Sequence, residues 1–423
     1  LNPIYALSFI QAHSFQTLFV MSSVILAVTG AEALYSDLGH FGKGPIRFGW
    51  FALAGLALPL NYFGQGALLL RDPSAQGNTF FGMAGPGLPA LALLLVTTFA
   101  TIIASQALIS AVASLASQAV QLGFLPRIRI QHTNKQERGQ IYVPFVNAAV
   151  GLGAIALVVI FKSSSALAGA YSLSIAGTML VSTIGLIILA VSKWKAQKFI
   201  LLPIFSVFMI LDLSLLIASS TKFLTGAWIP VLIGFCLASM MWIWRKGRLE
   251  LNAQLNKDSM SWSKVEKLRK KNAILIVDGV GIYPTAIPGV VPKALEEQIR
   301  VMGSMPKQIV VVNVLPEDVP YSHKPPVFEE VNDFASLVSL PCGFMEQRNI
   351  PRALRSKHLA EKFDEKHATY FVTDRTLTLA DKTSLNRAEE VIFAALHRNA
   401  TTPRYFYHLP ERRVITFDIS VQM

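Results

Sequence analysis

Two acidic side chains follow the first long apolar run of the chain. The motif TGAEALYSD occupies residues 29–37, directly behind the apolar residues 15–28. A carboxylate at the bilayer centre costs at least about 2.5 kcal/mol, so acids in membrane helices usually serve a function. Glycine weakens a helix by roughly 1 kcal/mol relative to alanine, and an opened membrane helix offers carbonyl oxygens to an ion. Thr29, Gly30 and Glu32 therefore predict a broken membrane helix that binds a cation.

The alternative is a helix that leaves the bilayer near Val28, with both acids already in water. Residues 15–28 are only fourteen residues long, whereas about 20 are needed to cross the hydrocarbon core. Glu32 is therefore predicted to lie inside the span. For Asp37, which is nearer the far end, a solvated or structural role remains as acceptable as a functional one.

The composition indicates a membrane protein. Of 423 residues, 52% are hydrophobic and only 15% are charged, which is too apolar for an ordinary water-soluble chain. Residues 1–248 hold 15 Lys and Arg against 5 acids, whereas residues 249–423 hold 23 against 21. We therefore expect a transmembrane domain over 1–248 and a water-soluble domain over 249–423. The two cysteines, Cys236 and Cys342, are too few for a disulfide framework or a metal cluster.

Seven apolar segments are long enough to be read as membrane spans. They cover residues 15–38, 46–70, 88–122, 142–161, 167–191, 199–219 and 228–244. The third segment is too long for one span, so we expect it to continue past the membrane as an amphipathic helix until Pro126 ends it.

The basic residues predict the orientation. In alternate loops, one side of the membrane receives 12 Lys and Arg and the other side receives 3, and the positive excess marks the cytoplasm. We therefore expect a multi-pass protein of the plasma (inner) membrane with residues 249–423 in the cytoplasm. Seven spans place Leu1 outside, yet no initiator Met or signal peptide precedes it, so we expect either an earlier start or a topology that differs by one span.

The second domain is predicted to be a small α/β domain. Residues 273–277 and 308–314 have strand character and flank a helical pattern over 291–302, which indicates parallel strands. Helices are expected over 350–363 and 385–399, and strands over 369–373 and 413–419. The DGVG motif at 278–281 could cradle a phosphate, but it lacks a third glycine before a helix, so a plain turn is favoured.

Further polar residues lie inside the apolar segments. Their neutral oxygens suit potassium or sodium, which need no His or Cys ligands. For Asn61, Gln65 and Gln106, hydrogen bonds that hold helices together are the favoured interpretation. Tyr171 and Thr178 lie near Gly169 and Gly177, so packing and ion binding remain equally open for both. A final lone acid, Asp212, requires a partner that the sequence does not identify.

Several motifs resemble the KUP/HAK/KT potassium uptake transporters in a bacterial form. They are TGAEALYSDLGHFG (29–42), PIR (45–47), LNYFGQGALL (60–69), IASQA (103–107), GQIYVPFVN (139–147) and RVI (413–415). The resemblance covers the membrane part almost without gaps and is looser over the second domain.

The resemblance implies an α-helical polytopic membrane protein of the LeuT/APC-type fold, followed by a cytoplasmic α/β domain. About seven spans correspond to helices 6–12, which include the second repeat, and the first five helices are expected to be absent. Thr29 and Gly30 would lie at the break of the sixth helix, Glu32 would be an acid important for transport, and Tyr171 would line the ion site. Potassium is thus expected at Thr29, Glu32 and Tyr171.

The resulting prediction is a potassium/proton symporter that is not an enzyme. The candidate ion-binding and coupling residues are Thr29, Gly30, Glu32, Tyr35, Asp37, Tyr171 and Thr178. No cofactor is expected apart from the transported K⁺ and H⁺. The expected partners are these ions and membrane lipid but no nucleic acid, and a homodimer stays open. Alternatives are a LeuT-fold permease for amino acids or organic cations, or a membrane-tethered sensor domain.

Overall fold

The chain folds into two compact units. The computed structural model describes residues 4–28, 30, 42–132, 141–194, 198–257, 259–287, 289–317, 319–343, 346–378 and 385–422. One unit, here called the membrane unit, comprises Leu1–Ser114 and His132–Cys236. The other, the C-terminal unit, comprises Leu115–Gln131 and Leu237–Met423. The ends of two long helices thus belong to the same unit as the second domain.

Helices dominate the first 257 residues. In chain order they are α1 Ile4–Ala12, α2 Ser14–Val24, α3 Lys43–Gly49, α4 Gly55–Arg71, α5 Thr79–Gly82, α6 Leu88–Gln121, α7 Pro144–Phe161, α8 Ser164–Ser192, α9 Lys198–Ser220 and α10 Trp228–Lys257. A π-helical turn, Trp50–Ala54, joins α3 to α4. Two short strands, β1 Gln131–His132 and β2 Ile141–Tyr142, pair between α6 and α7.

Six described helices are long and apolar enough to cross a membrane. They are Lys43–Arg71, Leu88–Gln121, Pro144–Phe161, Leu167–Ser192, Phe199–Ser220 and Trp228–Gln254. These helices match the second to seventh predicted segments, so a multi-pass helical membrane protein is confirmed. The first predicted segment, residues 15–38, lies partly outside the described residues.

The third predicted segment forms the longest of these helices. α6 is one continuous helix of 34 residues, or about 51 Å at the usual rise, which exceeds the roughly 30 Å of a hydrocarbon core. From Leu115 onwards it belongs to the C-terminal unit, as does α10 from Leu237 onwards. Both helices therefore contribute residues to the second domain's packing.

The C-terminal unit is built on a six-stranded sheet. Its strands are β3 Leu275–Thr285, β4 Ser304–Glu317, β5 Val327–Asn332, β6 Ala335–Gly343, β7 Thr369–Thr378 and β8 Val414–Gln422. Their order in the sheet is β5-β6-β4-β3-β7-β8, and every neighbouring pair is parallel except β5 with β6. Its helices are α11 Trp262–Lys270, α12 Lys293–Met302, α13 Ile350–Leu354, α14 Lys357–Ala360, α15 Arg387–Arg398 and α16 Pro403–Phe406.

The side chains of β4 show that the sheet is buried on both faces. Ile309 and Val311 enter one core with the apolar side of α12, whereas Val310 and Val312 enter the opposite core with α13 and α14. A strand covered on both faces has a continuous apolar run rather than an alternating one. The predicted strand–helix–strand unit, with parallel strands, is confirmed by β3, α12 and β4.

Three local predictions in this domain need correction. The DGVG motif is neither a turn nor a phosphate loop, because it continues β3 through a bulge between Val277 and Val280, where Gly279 has a φ of 130°. The predicted helix 350–363 is two short helices, α13 and α14. The interruption lets both Leu354 and Leu359 reach one core. The strands β5 and β6 were not predicted, since serines and a proline interrupt the apolar pattern of β6.

A buried carboxylate joins the beginnings of the last two strands. Glu365 is only 3% exposed, and its Oε2 accepts a hydrogen bond from Nε of Arg355 at 2.6 Å. Its Oε1 accepts from the Tyr370 hydroxyl at 2.6 Å and lies 3.3 Å from Nη2 of Arg413. Arg413 also donates to the backbone carbonyls of Glu365 and Ala368. This cluster joins the start of β7 to the start of β8, where the sequence has the RVI motif.

Candidate functional site

The first apolar segment loses its α-helical form where the sequence predicts a break. α2 ends at Val24, a 3-10 helix follows over Ile25–Val28, and Gly30 has a φ of 101°. This φ lies in the left-handed region, which glycine adopts without strain and which a right-handed α-helix does not contain. An α-helical backbone therefore does not pass through Gly30.

Four of the predicted ion-site residues, Thr29, Glu32, Tyr35 and Asp37, lie outside the described residues. Their roles remain predictions, as does the potassium site formed by Thr29 and Glu32 with Tyr171. The described members of the predicted set are Gly30, Tyr171 and Thr178.

Tyr171 and Thr178 both lie on α8, which contacts α2 and the 3-10 helix Ile25–Val28. Tyr171 is 40% exposed within this chain. The Thr178 hydroxyl donates to the carbonyl oxygen of Ser174 at 3.0 Å, so its proton is used within its own helix. The helix α8 therefore lies against the 3-10 helix Ile25–Val28, but the side chains of Tyr171 and Thr178 are both exposed within this chain.

A tyrosine of α4 connects the second predicted span to the 3-10 helix Ile25–Val28. The Tyr62 hydroxyl donates a hydrogen bond to the carbonyl oxygen of Ala27, in the 3-10 helix. Nearby, Gln65 Nε2 donates to Asn61 Oδ1 at 2.6 Å, and Gln65 Oε1 accepts from the Thr79 hydroxyl at 2.7 Å. The Gln65–Thr79 bond joins α4 to α5, in line with the favoured interpretation of Gln65, whereas the Asn61–Gln65 bond lies within α4.

A partner for Asp212 emerges only from the structure. Asp212 on α9 is 4% exposed and Thr183 on α8 is 7% exposed. The Thr183 hydroxyl donates to Asp212 Oδ2 at 2.5 Å. A buried acid in a membrane segment requires such a donor, because an unsatisfied polar group in hydrocarbon costs several kcal/mol. Sequence reasoning identified the acid but missed Thr183, which lies 29 positions away on a neighbouring helix.

Known potassium transport proteins match this chain along its whole length. Residues 1–249 match the K+ potassium transporter integral membrane domain, and residues 278–423 match the K+ potassium transporter C-terminal domain. A probable potassium transport system protein, Kup 2, of Paramagnetospirillum magneticum is 39% identical over all of this chain and 66% of its own length. The Kup protein of Methylococcus capsulatus is 39% identical over 98% of this chain and 67% of its own length.

A third relative, the probable potassium transport system protein Kup of Pseudomonas fluorescens, is 37% identical over all of this chain and 67% of its own length. The chain thus spans about two thirds of the length of the curated relatives it matches. More than half of the chain matches the membrane domain alone. The chain belongs to the K+ potassium transporter family, the KUP/HAK/KT group that its motifs resemble.

Proposed function

We propose that the full-length protein takes up potassium into the cell together with protons. The observation that carries this proposal is that the α-helical backbone ends after α2, in a 3-10 helix that contacts α8 and is followed by Gly30 with a positive φ, in a chain of the K+ potassium transporter family. A non-helical backbone inside a membrane protein frees carbonyl oxygens, and such oxygens replace the hydration shell of a potassium ion.

In the proposed site, Thr29 and Tyr171 supply neutral oxygens and Glu32 supplies a carboxylate. Gly30 opens the helix, and Tyr35, Asp37 and Thr178 complete the surroundings. A cation and a proton compete for the same carboxylate, so protonation of an acid inside the membrane is the simplest coupling between the two ions. We assign the spanning helices to the second repeat of a LeuT/APC-type fold and to the two further helices that follow it; in such folds the ion sites lie between repeats.

The two alternative functions receive no support from the relatives. Each reported relative is named as a potassium transport system protein rather than as a permease for organic substrates. A sensor domain with a simple membrane tether would have no use for a buried Asp212–Thr183 pair or for a helix interrupted at Gly30.

Uptake in cells tests the proposal directly. The full-length gene product, expressed in a cell that lacks its own potassium uptake, should restore growth in low potassium and accelerate rubidium entry. In liposomes, an imposed potassium gradient should move protons inward, as reported by an enclosed pH-sensitive dye. Rubidium entry without proton movement would contradict symport. Absence of potassium-dependent growth and flux in a correctly inserted protein would contradict potassium transport itself.

The orientation forms a separate prediction. The loops on one side of the membrane contain 12 basic residues and those on the other side contain 3. Because the positive excess marks the cytoplasm, the C-terminal domain should lie in the cytoplasm of a cell with an inner membrane. A reporter that is active only in the cytoplasm should therefore work when it is fused after Met423. The same reporter inserted between Asp72 and Gly87 should be inactive. The reverse pattern would show that the charge asymmetry has been misread.

A further inference from the structure

The C-terminal unit contains a cavity of about 930 Å³ at one edge of its sheet. Its walls include the carboxyl ends of three parallel strands, at Thr285 of β3, Pro316 of β4 and Thr376 of β7. The end of α6 and the C-terminal part of α10 close it from other sides, through Gln121 and Trp244. All the lining residues belong to the C-terminal unit. A volume of this size is sufficient for an organic ligand.

The position of the cavity follows from the strand order. From the central strand β3 the chain continues to β4 on one side, whereas β7 and β8 lie on the other side. β3 and β7 pair only at Gly281 with Thr369 and at Ile282 with Tyr370, although both strands continue further. They therefore separate towards their carboxyl ends. In open α/β sheets, ligands bind in the crevice at such a reversal of strand order.

Positive charge dominates the described lining of this cavity. It contains the basic residues Arg127, Arg248, Lys293, Arg348, Arg375 and Arg398, against the acids Asp374 and Asp418. Among the described residues, the arginines that pair with carboxylates are Arg300, Arg355, Arg404 and Arg413, and none of these four lines the cavity. The charge of the cavity arginines is therefore not neutralised by ion pairs with described acids.

Two titratable groups report this excess of positive charge. Burial and the positive charges of Arg127 and Arg248 lower the pKa of Arg375 to about 10. Burial, together with Arg375 and Arg127, also lowers the pKa of His397. Burial is the larger cause of both shifts and disfavours any isolated charge, whereas the repulsion from the neighbouring arginines is the contribution that a bound anion would relieve.

Aromatic side chains hold several of the arginines in place. The guanidinium of Arg127 lies 5.4 Å from the ring centre of Phe406 and 5.7 Å from that of Tyr407. Arg348 lies 5.4 Å from the centre of the same Phe406 ring. Arg348 also donates from Nη2 to the backbone carbonyl oxygen of Gln121. A guanidinium that packs against a ring can still donate from its edge, which suits recognition of phosphate.

We propose that this cavity binds a phosphate-bearing organic anion. The arginines would hold the phosphate oxygens, and the rings of Phe406 and Tyr407 in the wall would contact its organic part. Such a phosphate could belong to a soluble nucleotide or to the headgroup of an anionic lipid, because α6 and α10 are also membrane-spanning helices. The chemistry of recognition is the same in both cases, and the experiment separates the sources.

The test uses the full-length protein in phosphatidylcholine nanodiscs, titrated with ATP and with inorganic pyrophosphate in a calorimeter. A second preparation contains phosphatidylglycerol, and native mass spectrometry counts the lipid that stays bound. Arg375→Gln removes a charged hydrogen-bond donor, so it should weaken ligand binding at least about tenfold. Arg127→Gln removes a second guanidinium from the lining, so it should weaken binding by a similar factor.

Arg300→Gln is the matched control, because its side chain is exposed and pairs with Glu297 on α12 outside the cavity. It should leave binding unchanged. Arginine-dependent binding of ATP or pyrophosphate would identify a soluble ligand, whereas arginine-dependent retention of phosphatidylglycerol alone would identify a lipid. If none of these probes binds in a manner that depends on Arg375 or Arg127, the proposal is overturned. This readout does not depend on potassium transport, so its failure leaves the proposed function untouched.

Discussion

Potassium uptake should fall about 100-fold or more when Glu32 is replaced by glutamine in the full-length protein. Glutamine keeps the shape and much of the hydrogen bonding of glutamate but removes the negative charge. At an effective dielectric constant of 20, a carboxylate and a cation 4 Å apart attract each other by about 4 kcal/mol, which exceeds the roughly 2.7 kcal/mol of a 100-fold change. The initial rate of rubidium entry measures this loss.

Asp37→Asn is the matched comparison for this experiment. It removes the same charge five positions later, and the effect should be milder because Asp37 is predicted to lie nearer the membrane surface. Both variants should insert and remain folded, which the amount of protein in purified membranes can verify. Normal uptake with normal proton coupling in Glu32→Gln would reduce Glu32 to a packing role.

The largest expected effect on stability is that of Glu365→Ala in the C-terminal unit. Removing this carboxylate leaves the Tyr370 hydroxyl buried and the charges of Arg355 and Arg413 without their partner. Breaking a buried ion pair costs about 3–5 kcal/mol, and we expect about 3 kcal/mol because Arg355 is 54% exposed and can be rehydrated. Hydrogen exchange of β7 and β8 in the full-length protein should accelerate about 100-fold.

Glu266→Gln provides the control for Glu365→Ala. It breaks a pair with Lys270 in which both side chains are exposed, and exposed pairs contribute little. Exchange in β7 and β8 should therefore not change. If Glu365→Ala exchanged no faster than this control, the Glu365 cluster would not be a major support of these strands.

Acid should reproduce part of this effect in the unmodified protein. Burial acts to raise the pKa of Glu365, but hydrogen bonds from Arg355 and Tyr370 and the charge of Arg413 outweigh it, so the pKa lies below the ordinary 4.5. The folded state then binds the proton less readily than the unfolded state does. The stabilisation is complete above pH 4.5 and is lost as the pH falls through the lowered pKa. Glu365→Ala should lack this component.

Hydropathy alone predicted the spanning helices closely. A membrane helix satisfies its backbone within one segment, so a local run of apolar residues is sufficient to specify it. The predicted second to seventh segments are all helices, and the third is one continuous helix of 34 residues. The break after Val28 was visible from a glycine beside polar residues, and Gly30 has a backbone conformation that suits it.

The second domain shows where local patterns become insufficient. β3, α12 and β4 were predictable because continuous apolar runs and helical periodicity are local signals. β5 and β6 were not, since an edge pair with interspersed Ser and Glu is stabilised by its neighbour β4 rather than by its own composition. Likewise, whether DGVG forms a turn or a bulge depends on the strand beside it.

The sequence by itself thus determined the class of the protein, its spanning segments, the α/β character of its second domain and the motifs of its family. These features depend on composition, periodicity and short motifs, which are all local. Only the tertiary structure paired Asp212 with Thr183, surrounded Glu365 with Arg355, Tyr370 and Arg413, and gathered Arg127, Arg248, Arg348 and Arg375 around one cavity. Such groups come from distant parts of the chain, and contacts at long sequence separation are decided by packing rather than by local pattern.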